Sequence, residues 1–311
     1  MKKYQKAEQA DGLERIHFFQ YIRIANALRE DPFASLSDLA TSTALSRNTL
    51  SKCLTVMYTR TLLAGPLLTI RPHENNVVYL HLINVSDPFF IYQKVQSLPP
   101  VKNYAISTGN WNICMLTDGN LDVRELEGYN HTVYSGKRYT ICSPPLISTS
   151  WRQYWQSTRK DLEQALSEKH THREILPSLP WGEEEWQLYH AFKLNTRQCI
   201  PPILEEHDIS YETFSAWKQS LLRHCTVLVR FYPRRREFYE NICMVFRTHH
   251  AHLIKDFFSS IPTTPLFTDL EEHIMVQVRV PRKMARDIFS LMYEIEEKGI
   301  ADDVNWATIM G

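Results

Sequence analysis

The feature that most constrains this chain is that it repeats itself. LSRNTLS at 45–51 and ISYETFS at 209–215 share the pattern aliphatic-Ser-x-x-Thr-apolar-Ser, 164 positions apart. TIRPHENNVVYL at 69–80 lies beside RFYPRRREFYEN at 230–241, with Pro72 against Pro233, 161 positions apart. About one loop deletion separates the two matches. With 311 residues the chain is too long for one compact core. Whatever unit it folds into must therefore occur twice, in the same order.

Each copy begins with helical spacing. In the first, Phe18, Ile22, Ala25 and Leu28 recur on one helix face, and Asp31-Pro32 ends the run. Ser35 with Asp38 is a capping-box pattern that opens a short helix, LSDLATST. Ala44-Leu45 makes a tight connection, and Ser46 caps a third helix with Leu50, Leu54 and Met57 turned inward. LLTIRP and VVYLHLI flank the HENN turn and read as a β-hairpin, or wing. The second copy follows suit. EEEWQLYHAFKL is a helix, IPPILEEHD starts with prolines that suit a first helical turn, and Ser210 caps YETFSAWKQSLLRHC. TVLVRFYP and EFYENICMVF flank Arg234, Arg235 and Arg236 at the expected tip of the second wing.

After each wing the order is β-α-β-β-α-β, the ferredoxin-like arrangement. HIMVQVRV alternates, with Ile274, Val276, Val278 and Val280 on one side. RKMARDIFSLMYEIEEKG is amphipathic and stops at Gly299. In the first copy the second helix, around DVRELEGY, is short or missing. Between the copies, Trp151, Trp155, Leu162 and Leu166 stripe a packed linker helix. The expected fold is α+β in tandem. It comprises a winged helix-turn-helix over 1–74, a ferredoxin-like domain over 75–146, a linker helix over 147–180, a second winged helix-turn-helix over 181–236 and a second ferredoxin-like domain over 237–311.

Charge and motifs bound the function. Thirty-five basic residues balance 35 acidic ones, so no global field draws in a polyanion, and any nucleic-acid site must be local. The six cysteines are scattered without a C-x-x-C pair, which argues against a disulfide framework or zinc ribbon and fits a reducing cytoplasm. MKKYQKAEQADG has no apolar core and does not read as a signal peptide. No apolar run approaches the ~20 residues of a membrane span. P-loop, G-x-G-x-x-G, G-x-S-x-G and H-E-x-x-H motifs are all missing. The expectation is a cytoplasmic protein that is not an enzyme, with no catalytic residue, no cofactor and no metal site. His249, His250 and His252 are dense enough to suggest a metal, but only Asp256 stands one turn away, and they read as solvated or capping side chains. His170 and His172 are weaker still, and Trp181 and Trp186 read as core.

The layout resembles the leucine-responsive/asparagine-regulator (Lrp/AsnC) family of transcription factors, in which a winged helix precedes a βαββαβ module. LSRNTLSKCL looks like that family's recognition helix, with Lys52 where the family has Arg. AISTGNWNICMLTD looks like its strand-loop-strand, with Trp111 for Tyr and Asn112 for Asp. Family members usually carry one such unit per chain. The second copy departs from the pattern, with Glu212 and Trp217 in its helix and DLEEHIMV lacking the glycine. The resemblance implies a transcriptional regulator that pairs two recognition helices within one chain. It also implies an effector such as an amino acid, and further assembly through the ferredoxin-like modules. Siroheme decarboxylases look similar in layout and are the enzymatic alternative, although their His-x-Tyr-type segment is not seen here. A sensor or scaffold whose winged helices bind protein is a third reading.

From Leu39 to His73, and again from Thr213 to Arg236, the chain carries no acid. Clustered cations of this kind neutralise phosphates in double-stranded DNA. Arg47, Asn48, Ser51 and Lys52 would face the major groove, where Asn pairs with adenine and Arg or Lys with guanine. Ser46 and Thr49 would hold phosphates. Arg71 and the arginines 234–236 would reach a flanking phosphate or the minor groove, and Ser210, Thr213 and Lys218 would repeat the contacts in the second copy. The competing reading is a core helix with a solvated basic face. Thr108, Gly109 and Asn110 form the candidate effector loop, since a glycine between polar residues frees backbone N–H groups for a carboxylate. The plainer reading of that loop is a hairpin turn.

Overall fold

The computed structural model describes residues 15–164 and 173–310. MKKYQKAEQADG, Leu166, His170 and His172 lie outside them. The first copy runs α1 (Arg15–Glu30), α2 (Leu36–Thr43), α3 (Arg47–Thr59), β1 (Leu63–Ile70), β2 (Val78–Val85), α4 (Pro88–Val95), β3 (Val101–Gly109), β4 (Ile113–Asp118), β5 (Tyr129–Arg138) and β6 (Ile141–Cys142). The linker helix is α5 (Trp151–Gln164). The second copy runs α6 (Glu183–Phe192), α7 (Ile200–His207), α8 (Tyr211–His224), β7 (Cys225–Phe231), β8 (Tyr239–Arg247), α9 (Ala251–Ser259), β9 (Leu266–Asp269), β10 (His273–Pro281), α10 (Ala285–Glu297) and β11 (Asp303–Ile309).

Local side chains set the helix ends. Ser35 and Asp38 exchange both bonds of a capping box at the start of α2. The turn into α3 passes through Ala44 in the left-handed region (φ 49°), and Ser46 Oγ then accepts the Thr49 N–H at 3.1 Å. The second copy repeats this turn at the same offset. Asp208 is left-handed (φ 53°), and Ser210 Oγ accepts the Thr213 N–H at 3.0 Å.

The two helical modules share one hydrophobic core. Phe33, between α1 and α2, meets the rings of Phe192, Phe214 and Trp217 edge-on at centroid distances of 5.2, 5.6 and 5.9 Å. Thr196 Oγ1 donates to Pro32 O at 2.8 Å, and the Arg197 guanidinium donates to Ala34 O. Each copy thus roofs the other's first loop.

The wing strands are present but do not form hairpins. β1 pairs antiparallel with β7, from Leu63 opposite Phe231 to Ile70 opposite Cys225. The expected hairpin partners are drawn elsewhere for a physical reason. In β2, Leu80 to Ile83 are buried without interruption, and in β8 so are Ile242 to Phe246. A strand that is apolar on both faces belongs in the middle of a covered sheet, not on a wing. The ribbon's Val227, Val229 and Phe231 face the helical core. On the other face Ala64 packs toward the core of the second α+β module.

The remaining strands form one nine-stranded sheet in the order β5-β2-β4-β3-β11-β8-β10-β9-β6. Its halves, β5-β2-β4-β3 and β11-β8-β10-β9, each have the ferredoxin-like order 4-1-3-2 in their own numbering. β5 and β6 stand at opposite ends of this order yet are separated only by Tyr139 and Thr140. Tyr139 N–H donates to Asp269 O at 2.8 Å and Asp269 N–H to Thr140 O at 2.9 Å. The sheet is therefore rolled up, and its halves face each other across Leu80, Leu82, Trp111 and Tyr134 on one side and Cys243, Val245, Leu270 and Ala307 on the other. Helices α9 and α10 cover the outside of the second half. On the first half, among the described residues, only α4 and a 3-10 turn at Val123–Glu125 are found, in keeping with the short or missing second helix.

His81 on β2 is fully buried, with Nδ1 at 2.8 Å from Ser135 Oγ and Nε2 at 2.9 Å from Thr117 Oγ1. Because Thr117 Oγ1 donates to Gly119 O at 2.7 Å, Nε2 carries the imidazole proton and Nδ1 accepts from Ser135. Burial pushes the His81 pKa down to about 4.

Two outcomes follow from this packing. Phe33→Ala should cost about 3–5 kcal/mol, read as the urea midpoint. Both helical modules should be lost in one transition, and separate transitions would contradict the shared core. Acidification should also destabilise the protein. Above pH 6.5 His81 is neutral folded or unfolded. Between 6.5 and about 4 the unfolded chain takes a proton that the native imidazole refuses, so stability falls through that window by up to roughly 3 kcal/mol. His81→Gln should flatten this part of the stability profile, and an unchanged slope would assign it to other groups.

Candidate functional site

On α3 the structure gathers the first-copy residues on two exposed turns. Leu50, Cys53, Leu54 and Met57 are buried, which leaves Ser46, Arg47, Asn48, Ser51 and Lys52 exposed and Thr49 half-buried. Ser46 and Thr49 are committed to the cap, with their hydroxyls 2.9 Å apart. Arg47 Nη2 donates to Ser37 Oγ at 2.7 Å.

The second copy has diverged. Ser210 and Thr213 again form the cap, but the exposed face of α8 presents Tyr211, Glu212, Ala216, Gln219, Leu222 and Arg223. Lys218 is half-buried, 3.9 Å from Asp31, with its ammonium 5.9 Å from the Phe33 ring centroid. It therefore serves the contact between copies. Arg71 approaches Glu174 at 3.5 Å and donates to Arg223 O at 3.4 Å. Arg234, Arg235 and Arg236 sit in a turn after β7 that leads into Tyr239, not at a hairpin tip; Arg235 lies 3.9 Å from Glu237. The register puts Arg71 and this triplet at opposite ends of the β1–β7 ribbon.

The loop Thr108, Gly109 and Asn110 lies on the seam between the sheet halves. Thr108 is in register with Thr308 and Gly109 with Ala307. Asn110 N–H donates to Trp306 O at 2.9 Å, and Asn110 Oδ1 accepts the Trp306 N–H at 3.0 Å. Gly109 has φ 146°, and a Cβ there would fall 2.4 Å from Trp306 O. The glycine is needed because β11 approaches so closely.

His249 is exposed, whereas His250 and His252 are half-buried, and His250 Nδ1 and both ring nitrogens of His252 are sealed without a hydrogen-bond partner. His250 stands at the N-cap position of α9 but its side chain makes no cap bond. The expectation of solvated or capping histidines holds for the exposed His249 and is corrected for His250 and His252. No group of three or more His, Cys, Asp or Glu among the described residues could hold a metal.

A further cluster escaped sequence reasoning. Arg279 is buried on β10, with its guanidinium 5.3 Å from the Tyr232 ring centroid. Burial lowers its pKa, and the neighbouring Arg236 and Arg230 lower it further against the pull of Tyr232. Arg230 projects from the ribbon opposite Ala64, and its Nε is sealed without a partner. Among the described residues, neither Arg230 nor Arg279 forms an ion pair with a carboxylate. Nearby polar groups are already engaged: Thr263 Oγ1 donates to Arg279 O at 2.8 Å, Thr264 Oγ1 accepts the Phe231 N–H at 2.8 Å, and Gln277 donates to Asn241 at 2.9 Å. The result is an arginine basin between the ribbon and the second half of the sheet. The available signal was the second face of HIMVQVRV, where Met275, Gln277 and Arg279 become steadily more polar.

No protein-family model matches the chain, and no curated protein matches it. Among solved structures, the siroheme decarboxylase NirDL is similar with a TM-score of 0.53 at 12% identity, covering 94% of this chain and 91% of that one. NirDL in co-complex with an iron-uroporphyrin III analogue gives 0.44 at 12% identity, with the same 94% and 91% coverage. AsnC of E. coli gives 0.31 at 15% identity, covering 42% of this chain and 95% of AsnC. The first likeness shows a shared fold over nearly the whole chain; the other two are too distant to add to it. At that level the architecture is α+β. The expectation that the chain is not an enzyme is overturned, because a solved structure that shares its fold over 94% of the chain is an enzyme. No described helix is long and apolar enough to cross a membrane.

Proposed function

We propose that this protein binds a carboxylate-rich tetrapyrrole of the siroheme class in the arginine basin and decarboxylates it. The observation that carries the reading is that Arg279 lies buried over the Tyr232 ring, with Arg230 and Arg236 as its charged neighbours and no ion pair to a carboxylate among the described residues. A buried cation without a counter-charge costs several kcal/mol, and a ligand carboxylate would offset that cost through charge-assisted, bidentate bonds. Decarboxylation breaks a carbon–carbon bond, releases carbon dioxide and leaves a carbon that must take up a proton. Tyr232 is the hydroxyl among these arginines and is assigned the proton-donor role. The shared fold with a siroheme decarboxylase supports the same reading.

The test is titration of the full chain with iron-uroporphyrin followed by absorbance, with carbon dioxide release tracked by product mass. Arg279→Met and Arg230→Met should each weaken binding by roughly 1.5–3 kcal/mol. Tyr232→Phe should slow turnover while leaving binding in place. Absence of any tetrapyrrole spectral change with folded protein would overturn the proposal.

A second reading is favoured by the acid-free exposed face of α3. On it, Arg47, Asn48, Ser51 and Lys52 contact double-stranded DNA, and the chain regulates transcription in the Lrp/AsnC manner, with an effector at Thr108, Gly109 and Asn110 and assembly through the α+β modules. Arg47→Ala and Lys52→Ala should each weaken specific DNA binding by roughly 1–3 kcal/mol. Gel shifts across a salt series are the measurement; salt-independent or unchanged affinity would remove the reading without touching the tetrapyrrole proposal.

A further inference from the structure

Another arginine lacks a partner among the described residues, away from the basin. Arg138 closes β5, opposite Val78, on the strand face that carries Tyr134 and Gly136 toward the space between the sheet halves. It forms no ion pair and no hydrogen bond with any described residue, and its Nε is sealed from solvent. The residue as a whole is half-buried. With Nε sealed, what reaches solvent includes its terminal nitrogens, which neither carry bonds nor are sealed. The guanidinium is thus desolvated at its base and open at its tip.

Its one electrostatic neighbour of note is Tyr189 on α6, which also interacts with Cys225 and receives a hydrogen bond from the Ile70 backbone. That places the pair at the Ile70–Cys225 end of the ribbon, whereas Arg230 lies opposite Ala64 toward the other end. Five residues of strand separate Cys225 from Arg230, roughly 17 Å.

The surroundings are cationic. Lys193 Nζ lies 3.1 Å from His190 Nδ1 and 6.0 Å from the Tyr189 ring centroid. Lys102 acts on His190 and is itself paired with Asp118. Trp181 and Trp186 pack on Tyr189 at 5.7 and 6.0 Å, which walls the site and limits what can enter. Burial pushes the Arg138 pKa down to about 10 and that of Tyr189 up to about 12, so at neutral pH the pair is a guanidinium cation beside an un-ionised phenol. A fork of donors and a hydroxyl, with Lys193 beside the phenol ring, match a small oxyanion.

We propose that Arg138 and Tyr189 form a binding site for a compact oxyanion, a carboxylate or a phosphate, distinct from the arginine basin. It does not rest on the tetrapyrrole reading. Occupancy would tie β5 of the first copy to α6 of the second, so the anion would act as a ligand-dependent clasp between the copies.

The experiment is thermal unfolding of the full chain in an oxyanion-poor buffer, titrated separately with inorganic phosphate and with acetate. The wild type should show a saturable rise in Tm of a few degrees with at least one of them, because a ligand that binds only the native state stabilises it. Which anion saturates at lower concentration identifies the source. Arg138→Met should unfold at or above the wild-type temperature without anion and should lose the response. Tyr189→Phe, which keeps the aromatic packing, should need at least tenfold more anion and is the variant to use if Arg138→Met fails to fold. Arg279→Met should respond like the wild type, which separates this site from the basin. A wild type indifferent to both anions, or a response retained in both Arg138→Met and Tyr189→Phe, would overturn the proposal.

Discussion

The architecture depends on the pairing of β1 with β7. In each copy this strand leaves the third helix of its module with one side on the helical core and its hydrogen-bonding edges open. Two separate hairpins would have needed β2 and β8 as partners, and those strands are buried on both faces within the rolled sheet. Pairing the two orphan strands with each other satisfies both edges with one ribbon. It also explains why the helical modules have a common core. Once β1 and β7 lie side by side, α1 and α6 are brought together above them, and Phe33 has nowhere to go but among Phe192, Phe214 and Trp217.

The ribbon then has two different faces. Its apolar face is used by the helices. Its other face carries Arg230 opposite Ala64, and Ala64 packs toward the core of the second α+β module. Arg230 lies toward one end of this ribbon, with Arg279 as its neighbour, and Arg138 lies toward the other. Their lack of carboxylate partners is informative, since a protein that needed them only for stability would supply a counter-charge or an apolar side chain of similar volume.

Much of the helical half was legible because its signals are local. A serine cap and a capping box depend on neighbours within four positions, and both were visible in LSRNTLS, ISYETFS and SLSD. The wings were misread because a strand's sequence shows its burial but not its partner. VVYLHLI is as consistent with a central strand as with a hairpin arm, and only the competing demand of the sheet decides. The arginine basin was invisible for a related reason. Arg230 and Arg279 are 49 positions apart in sequence (279 minus 230), and the strand carrying Arg279 was read for its apolar face alone. Lys218 shows the converse failure: its place in an acid-free stretch suggested phosphate, while the nearest acid, Asp31, comes from the other copy.

Duplication within one chain also permits what a symmetric dimer forbids. At the offset of 161 that aligns Pro72 with Pro233, Arg230 corresponds to Thr69, Tyr232 to Arg71 and Asn241 to Leu80. The registers extend the comparison: Leu80 pairs with Leu116 where Asn241 pairs with Arg279. The inner face that is Asn241, Gln277 and Arg279 in the second half is Leu80, Cys114 and Leu116 in the first. A homodimer carrying such an arginine basin would have to desolvate its charges twice, once in each subunit. This chain does so once and fills the equivalent place with leucine. The apolar half helps to hold the rolled sheet closed, and the polar half is left free to carry a site. The same division explains the helices above, where α3 keeps an exposed cationic face while Lys218 and Trp217 of α8 have been turned to holding the two copies together.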